Sequence, residues 1–188
     1  MTLVTFFMKK SSLRNSLAIL LFLLLIFGNY IITWKQISVN TAVLILFIAS
    51  SLFLTRSKRR ISLFVVCLFV AHVYAGLRCF EVVTPVWFFL PKTLLYGGIF
   101  VVIISFLSKK LIDKLIIVCL SIIIGEAIFM ATVYSINWNI IIGAPDLLLL
   151  LTVLSAIILC HHLGMEIKRK LQDILHVIEQ QNKRWTNE

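Results

Sequence analysis

Charge is scarce in this sequence, and acidic charge most of all: eight Asp and Glu stand against 18 Lys and Arg, and charged residues fill only 14% of 188 positions. A soluble domain of this length needs a polar exterior that so few charges cannot supply. Cysteine is sparse as well. Cys67, Cys79, Cys119 and Cys160 all fall within apolar runs and show no CxxC spacing, so they indicate neither a disulfide framework nor a zinc site. They read as buried small apolar residues. With seven glycines and three prolines, the chain has no phosphate-binding glycine loop, and no apolar run is visibly broken at its centre. HExxH, GxSxG and a framed pair of catalytic carboxylates are also missing, and no internal repeat is evident. These absences point away from an enzyme, and no cofactor is indicated.

What the chain has in quantity is long hydrophobic runs: 61% of its residues are hydrophobic, and its mean hydropathy is +1.04. Lipid offers the backbone no hydrogen-bond partners, so apolar stretches of about 20 residues become helices unless they alternate as barrel strands do. None alternates convincingly. The fold class expected is all-α, a polytopic transmembrane bundle of about six helices. Their approximate bounds are Leu17 to Thr33, Val39 to Thr55, Ile61 to Phe80, Trp87 to Leu107, Leu111 to Tyr134 and Ala144 to Leu163. Residues 1–163 form the membrane domain and residues 164–188 a basic tail.

Basic residues set the orientation, because Lys and Arg are retained on the cytoplasmic side of short loops. Lys9, Lys10 and Arg14 precede the first helix, Arg56, Lys58, Arg59 and Arg60 follow the second, and Lys109, Lys110 and Lys114 follow the fourth. Lys168, Arg169, Lys170, Lys183 and Arg184 follow the sixth, leaving only Lys35, Arg78 and Lys92 for the other loops. Both termini are therefore expected in the cytoplasm. Trp34, Trp87 and Trp138 fall in the loops assigned outside, where indole rings favour the headgroup region. Clustering of the net charge of +10 at segment ends, not along a soluble face, argues for a membrane and against nucleic acid. Met1 to Arg14 resembles a signal peptide start, but the run that follows is long and lacks a small-residue cleavage site, so it reads as a retained helix.

Polar groups inside the spans each need a partner or a purpose, since a central charge costs about 2.5 to 3.5 kcal/mol on insertion scales. His72 lies roughly 16 Å into the third helix and Glu126 roughly 20 Å into the fifth, so both sit near mid-membrane. They form a candidate intramembrane pair, either as a clamp between helices or as a proton or solute path in a small transporter or channel-like protein. A second candidate cluster lies toward the outer side. Arg78 and Glu81 are three apart and share a helix face, while Asp146 opens the sixth helix after Pro145. Capping suits Asp146, pairing suits Arg78, and a site for an anionic or zwitterionic ligand is the sharper reading. Cys160, His161 and His162 are adjacent, so their side chains point about 100° apart and do not readily grip one metal ion. A haem between His72 and the sixth-helix histidines would need matched depths that this spacing does not give.

Small residues at Ala71, Ala75, Gly76, Gly97, Gly98 and Gly125 signal close helix packing. Beyond Gly164 the sequence becomes polar, with Ile167, Leu171, Ile174 and Ile178 forming one apolar stripe and Leu175 beside it. That tail reads as an amphipathic extension of the sixth helix. Lys168, Arg169 and Lys170 suit anionic lipid, and the stripe suits a protein partner.

Phe80-Glu81 followed by Pro85-Val86-Trp87, then Gly125-Glu126, then Ile142-Gly143 with Asp146, resembles the YphA-like membrane proteins of Bacillus-type bacteria. The likeness runs from about Phe6 to Leu163. It implies a bacterial cytoplasmic membrane location and no particular activity, and it marks Glu81, Glu126 and Asp146 as positions to test. Members of that family resemble a version with one more complete hydrophobic segment before the position of Lys9, of which Met1 to Met8 would be the last turns. Such a seventh helix would place the N-terminus outside and leave every later assignment unchanged. The role expected is organising or sensing at the bacterial plasma membrane.

Overall fold

The computed structural model describes residues 12–28, 30–34, 37–84, 91–108, 110–134, 140–143 and 145–185. Among the described residues six helices and three short strands follow one another: α1 (Ser12–Phe27), β1 (Ile31–Trp34), β2 (Ile37–Asn40), α2 (Thr41–Arg56), α3 (Arg60–Val83), α4 (Lys92–Leu107), α5 (Leu111–Tyr134), β3 (Ile140–Ile142) and α6 (Pro145–Trp185). The all-α bundle of six helices is the architecture observed. Among the described residues three helices are long and apolar enough to cross a membrane, namely Arg60–Val83, Leu111–Tyr134 and Pro145–His162. The 16 residues of α1, α2 and α4 reach about 24 Å at 1.5 Å per residue, short of a hydrocarbon core about 30 Å thick.

The strands account for part of that shortfall and correct the first boundary. The first helix ends at Phe27, not near Thr33, because β-branched residues in Ile31–Trp34 and Ile37–Asn40 pair as an antiparallel hairpin. Strand β3 then pairs in parallel with β2, with Ile37 opposite Ile140 and Val39 opposite Ile142. This sheet, in the order β1-β2-β3, joins the α1–α2 and α5–α6 connections at one end of the bundle. Thr41 ties the hairpin to α1 by donating from Oγ1 to Tyr30 O at 2.9 Å and to Phe27 O. Asn40 starts α2, its Oδ1 accepting from Ala42 N–H at 2.9 Å. Gly143 fits the junction because its φ is +85°. A Cβ there would stand 2.7 Å from Val43 Cγ2 and 2.8 Å from Asn40 Cβ.

Helix α5 is the axis of the bundle: 61% of its apolar window is buried, against 33% for α3 and 28% for the apolar part of α6. Consecutive residues Ile116, Ile117, Val118 and then Leu120 to Ile123 are buried, so the middle of α5 is covered on every side, while Ile112 and Tyr134 near its ends are exposed. Cys67 and Val70 of α3, Phe100 and Ile104 of α4, and Leu154 of α6 pack around it. Large apolar side chains such as Ile61, Val83 and Phe106 face outward, as lipid contact allows. Gly125 sets the closest crossing, where a Cβ would meet Ala71 O at 2.6 Å and Tyr74 Cδ1 at 2.8 Å. Gly76 and Gly98, also read as packing positions, face open space instead.

Helix α6 runs without interruption from Pro145 through Gly164 to Trp185, 41 residues in all. The tail is thus a continuation of the last membrane helix. Ile167, Lys168 and Leu171 are exposed on it, while the side chains of Arg169, Lys170, Ile174, Leu175 and Ile178 lie outside the described residues. Met1 to Lys10, Lys35, Trp87, Lys109 and Trp138 also lie outside them, as do the side chains of Arg14, Trp34 and Lys92.

Candidate functional site

Helix periodicity brings Tyr74, Arg78 and Glu81 to one side of α3, since their spacings of four and three approximate one turn each. That side faces α5 and α4. Glu126, only 2% exposed, receives the Tyr74 hydroxyl on Oε2 at 2.8 Å and Arg78 Nη2 on Oε1 at 3.3 Å. Arg78 Nη1 donates to Glu81 Oε2 at 3.0 Å, and the Tyr96 hydroxyl of α4 donates to the same oxygen at 2.6 Å. The chain of contacts Tyr74, Glu126, Arg78, Glu81, Tyr96 links three helices through two carboxylates and one guanidinium. Apart from Arg78 Nε, the buried polar groups here satisfy one another, as their burial demands.

Aromatic rings enclose the cluster. Tyr74 packs against Tyr96 and Phe100 with ring centroids 6.0 and 5.8 Å apart, and Arg78 Cζ sits 5.0 Å above the centre of the Phe129 ring. Gly125 makes the cluster possible, because the close approach of α5 to α3 at that residue carries its neighbour Glu126 within reach of Tyr74. Beside the cluster is a cavity of about 280 Å³ bordered by Tyr74, Arg78, Thr93, Tyr96, Glu126, Asp146, Leu147 and Leu150. Arg78 Nε is buried, with no hydrogen-bond acceptor among the described residues.

The expected pair of His72 and Glu126 is not formed. His72 stands two positions before Tyr74, about 200° around the helix from it, and therefore faces away from α5. It is exposed, and its Nδ1–H donates to Leu68 O of its own helix at 2.8 Å. Position along a helix does not fix which way a side chain points. A path through His72 and Glu126 has no geometric basis in this arrangement. The second expected cluster fares differently. Arg78 and Glu81 do pair, and Arg78 bridges onward to Glu126, a link between the two groups of residues that spacing along the chain does not reveal. Asp146 lies in the first turn of α6, exposed and on the cavity wall, where its charge suits the positive end of the helix.

Tyr74 and Tyr96 are the participants that sequence reasoning missed. The signal for Tyr74 was its place four residues before Arg78 on a polar stripe of an otherwise apolar helix; Tyr96, on another helix, left no such mark. Of the cysteines, Cys67 is buried, Cys79 and Cys119 are half-buried and Cys160 is exposed, a correction to the reading of all four as interior. His161 is exposed and His162 half-buried. Among the described residues no three His, Cys, Asp or Glu side chains converge as metal ligands do.

No match was found among curated proteins or among solved structures. A family model described as YphA-like integral membrane protein matches residues 1–184. That span takes in the sheet, the buried cluster, the cavity and nearly all of α6, and the chain belongs to the YphA-like integral membrane protein family.

Proposed function

We propose that this protein is a non-enzymatic sensor of the bacterial cytoplasmic membrane, inserted with both termini in the cytoplasm, that registers a small solute in its polar cavity and passes that state along α6 to the basic tail. One observation carries the reading: the helix that walls the cavity with Asp146, Leu147 and Leu150 is the same unbroken helix that bears Lys168, Arg169 and Lys170. A helix 41 residues long spans about 60 Å, so a shift or tilt at its start has a rigid route to its far end. The clustering of Lys and Arg at the other end of the bundle from the sheet supports the orientation. With the sheet outside, the cavity opens toward the external face.

The cavity wall favours a cationic solute over the anion expected from Arg78 alone. Both Nη atoms of Arg78 are already bound to carboxylates, whereas Asp146 is exposed on the wall. A small primary ammonium compound suits the exposed carboxylate of Asp146. At the tail, anionic lipid or a protein partner receives the change.

The test has two stages in a cysteine-free background. In intact cells a cysteine at Asn137 is labelled from outside, while cysteines at Ser57 and Ser108 are not; external labelling at Ser57 or Ser108 overturns the orientation. In vesicles, the labelling rate of a cysteine at Ile167 is then followed across a panel of ethanolamine, methylamine and acetate. A response to the amines that Asp146→Asn abolishes supports sensing. A rate unmoved by every solute overturns it.

A further inference from the structure

Helices α1 and α2 touch over only part of their length. Between them runs a groove of about 340 Å³ whose walls include Ile19 and Leu23 of α1 and Ile48, Ala49 and Leu52 of α2, with Arg56 as its polar residue. The α2 wall extends from Ile45 to Arg56, which at 1.5 Å per residue rises about 16 Å, or half of a hydrocarbon core about 30 Å thick. That is the depth of one leaflet, and so of one acyl chain.

The end of the groove is strongly basic. Arg56 closes α2, Lys58 and Arg59 follow it, and Arg60 opens α3; all four are exposed. No Asp or Glu occurs in the chain before Glu81, and among the described residues none of the four cations forms an ion pair. An apolar slot of single-leaflet depth, capped by unpaired cations at the level of the headgroups, has the shape and charge of a phospholipid turned inside out.

We infer that the α1–α2 groove is a binding site for an anionic phospholipid, with one acyl chain lying along Ala49 and Leu52 and the phosphate held by Arg56 and the cations that follow it. The site is independent of the polar cavity, being built on other helices and at the other end of the bundle. Bound there, the lipid fills the space that α1 and α2 leave between them. A zwitterionic phospholipid fits the slot equally but meets the four cations with no net charge.

Native mass spectrometry of the purified chain in detergent, with phosphatidylglycerol and phosphatidylcholine of matched acyl chains, tests the assignment. The parent retains phosphatidylglycerol in preference. Arg56→Gln lowers that preference about fivefold, the equivalent of the ~1 kcal/mol that one basic residue contributes at an anionic surface. Ala49→Phe, which fills the slot, reduces retention of both lipids. Arg56 is exposed at a helix end, so its replacement leaves the fold intact, and circular dichroism checks Ala49→Phe for helix content. Equal retention of the two lipids by the parent, or an Arg56→Gln variant with undiminished preference, overturns the proposal. So does a dimer that excludes lipid and is lost in Ala49→Phe, which would assign the groove to a second copy of the chain.

Discussion

Replacing Glu126 by Leu removes a buried carboxylate that links α3 to α5. Glu126 accepts from Tyr74 and from Arg78 and is 2% exposed. Its loss leaves the Tyr74 hydroxyl without its partner and Arg78 with Glu81 alone. Breaking a buried ion pair by removing one partner costs about 3 to 5 kcal/mol. Because the Arg78 side chain is 27% exposed, some water or headgroup screening reaches the pair, and the low end, about 3 kcal/mol, is expected. For chains of 150 to 250 residues each kcal/mol moves the melting temperature by about 2 to 4 °C, so the Leu variant is expected to melt about 6 to 12 °C below the parent. Glu126→Gln keeps an acceptor for Tyr74 and exchanges a charge-assisted bond for a neutral one, a loss of about 1 kcal/mol. The assay is thermal unfolding in one detergent, followed by loss of monodisperse protein. The ordering of parent, Gln and Leu matters more than the absolute shift. A Leu variant that melts with the parent would refute the idea that this carboxylate ties the two helices.

Three further outcomes are expected from the same assay. Gly125→Ala forces a Cβ to within 2.6 Å of Ala71 O and 2.8 Å of Tyr74 Cδ1, an overpacking that costs about 1 to 3 kcal/mol, whereas Gly76→Ala, which meets nothing within 4 Å, raises stability by about 0.5 to 1 kcal/mol. His72→Ala leaves the melting temperature close to that of the parent, because the ring is exposed and bonds only within its own helix; a large drop would show a partner that the structure does not give it. Asn40→Ala removes the α2 cap seen at 2.9 Å and lowers stability by about 1 kcal/mol, while Asn40→Ser, which keeps a capping oxygen, recovers most of it.

Helix number and most helix ends were legible because lipid leaves so little choice: an apolar run bounded by Asn40 and Arg56 has only one economical conformation. The sheet was not legible. Ile31 to Thr33 reads as the end of the first helix and Ile140–Ile142 as part of a loop, and strands of three or four residues are too short for alternation to mark them. Their pairing also depends on bringing together segments about 100 residues apart. The site was half legible for a related reason. Spacing on α3 gives Arg78 and Glu81, and depth gives Glu126, but the rotation of α3 about its own axis decides whether His72 or Tyr74 meets α5. That rotation is set by Gly125, Ala71 and the aromatic packing of Tyr74, which are contacts between helices and leave no trace in the spacing along one.

The parallel pairing of β2 with β3 has a consequence for the order in which the molecule is built. The hairpin of Ile31–Trp34 and Ile37–Asn40 is complete once synthesis has passed Asn40, but its β2 edge stays open until Ile140–Ile142 arrives. At about 5 to 20 residues per second, roughly 100 residues of intervening synthesis keep that edge waiting for about 5 to 20 s. Four helices must be delivered in the meantime with β3 carried to the same face as the hairpin. The sheet is therefore a seam that closes only on a correctly threaded chain, and a molecule that has mis-threaded one helix presents an unpaired strand edge, the feature by which quality control or aggregation would find it first.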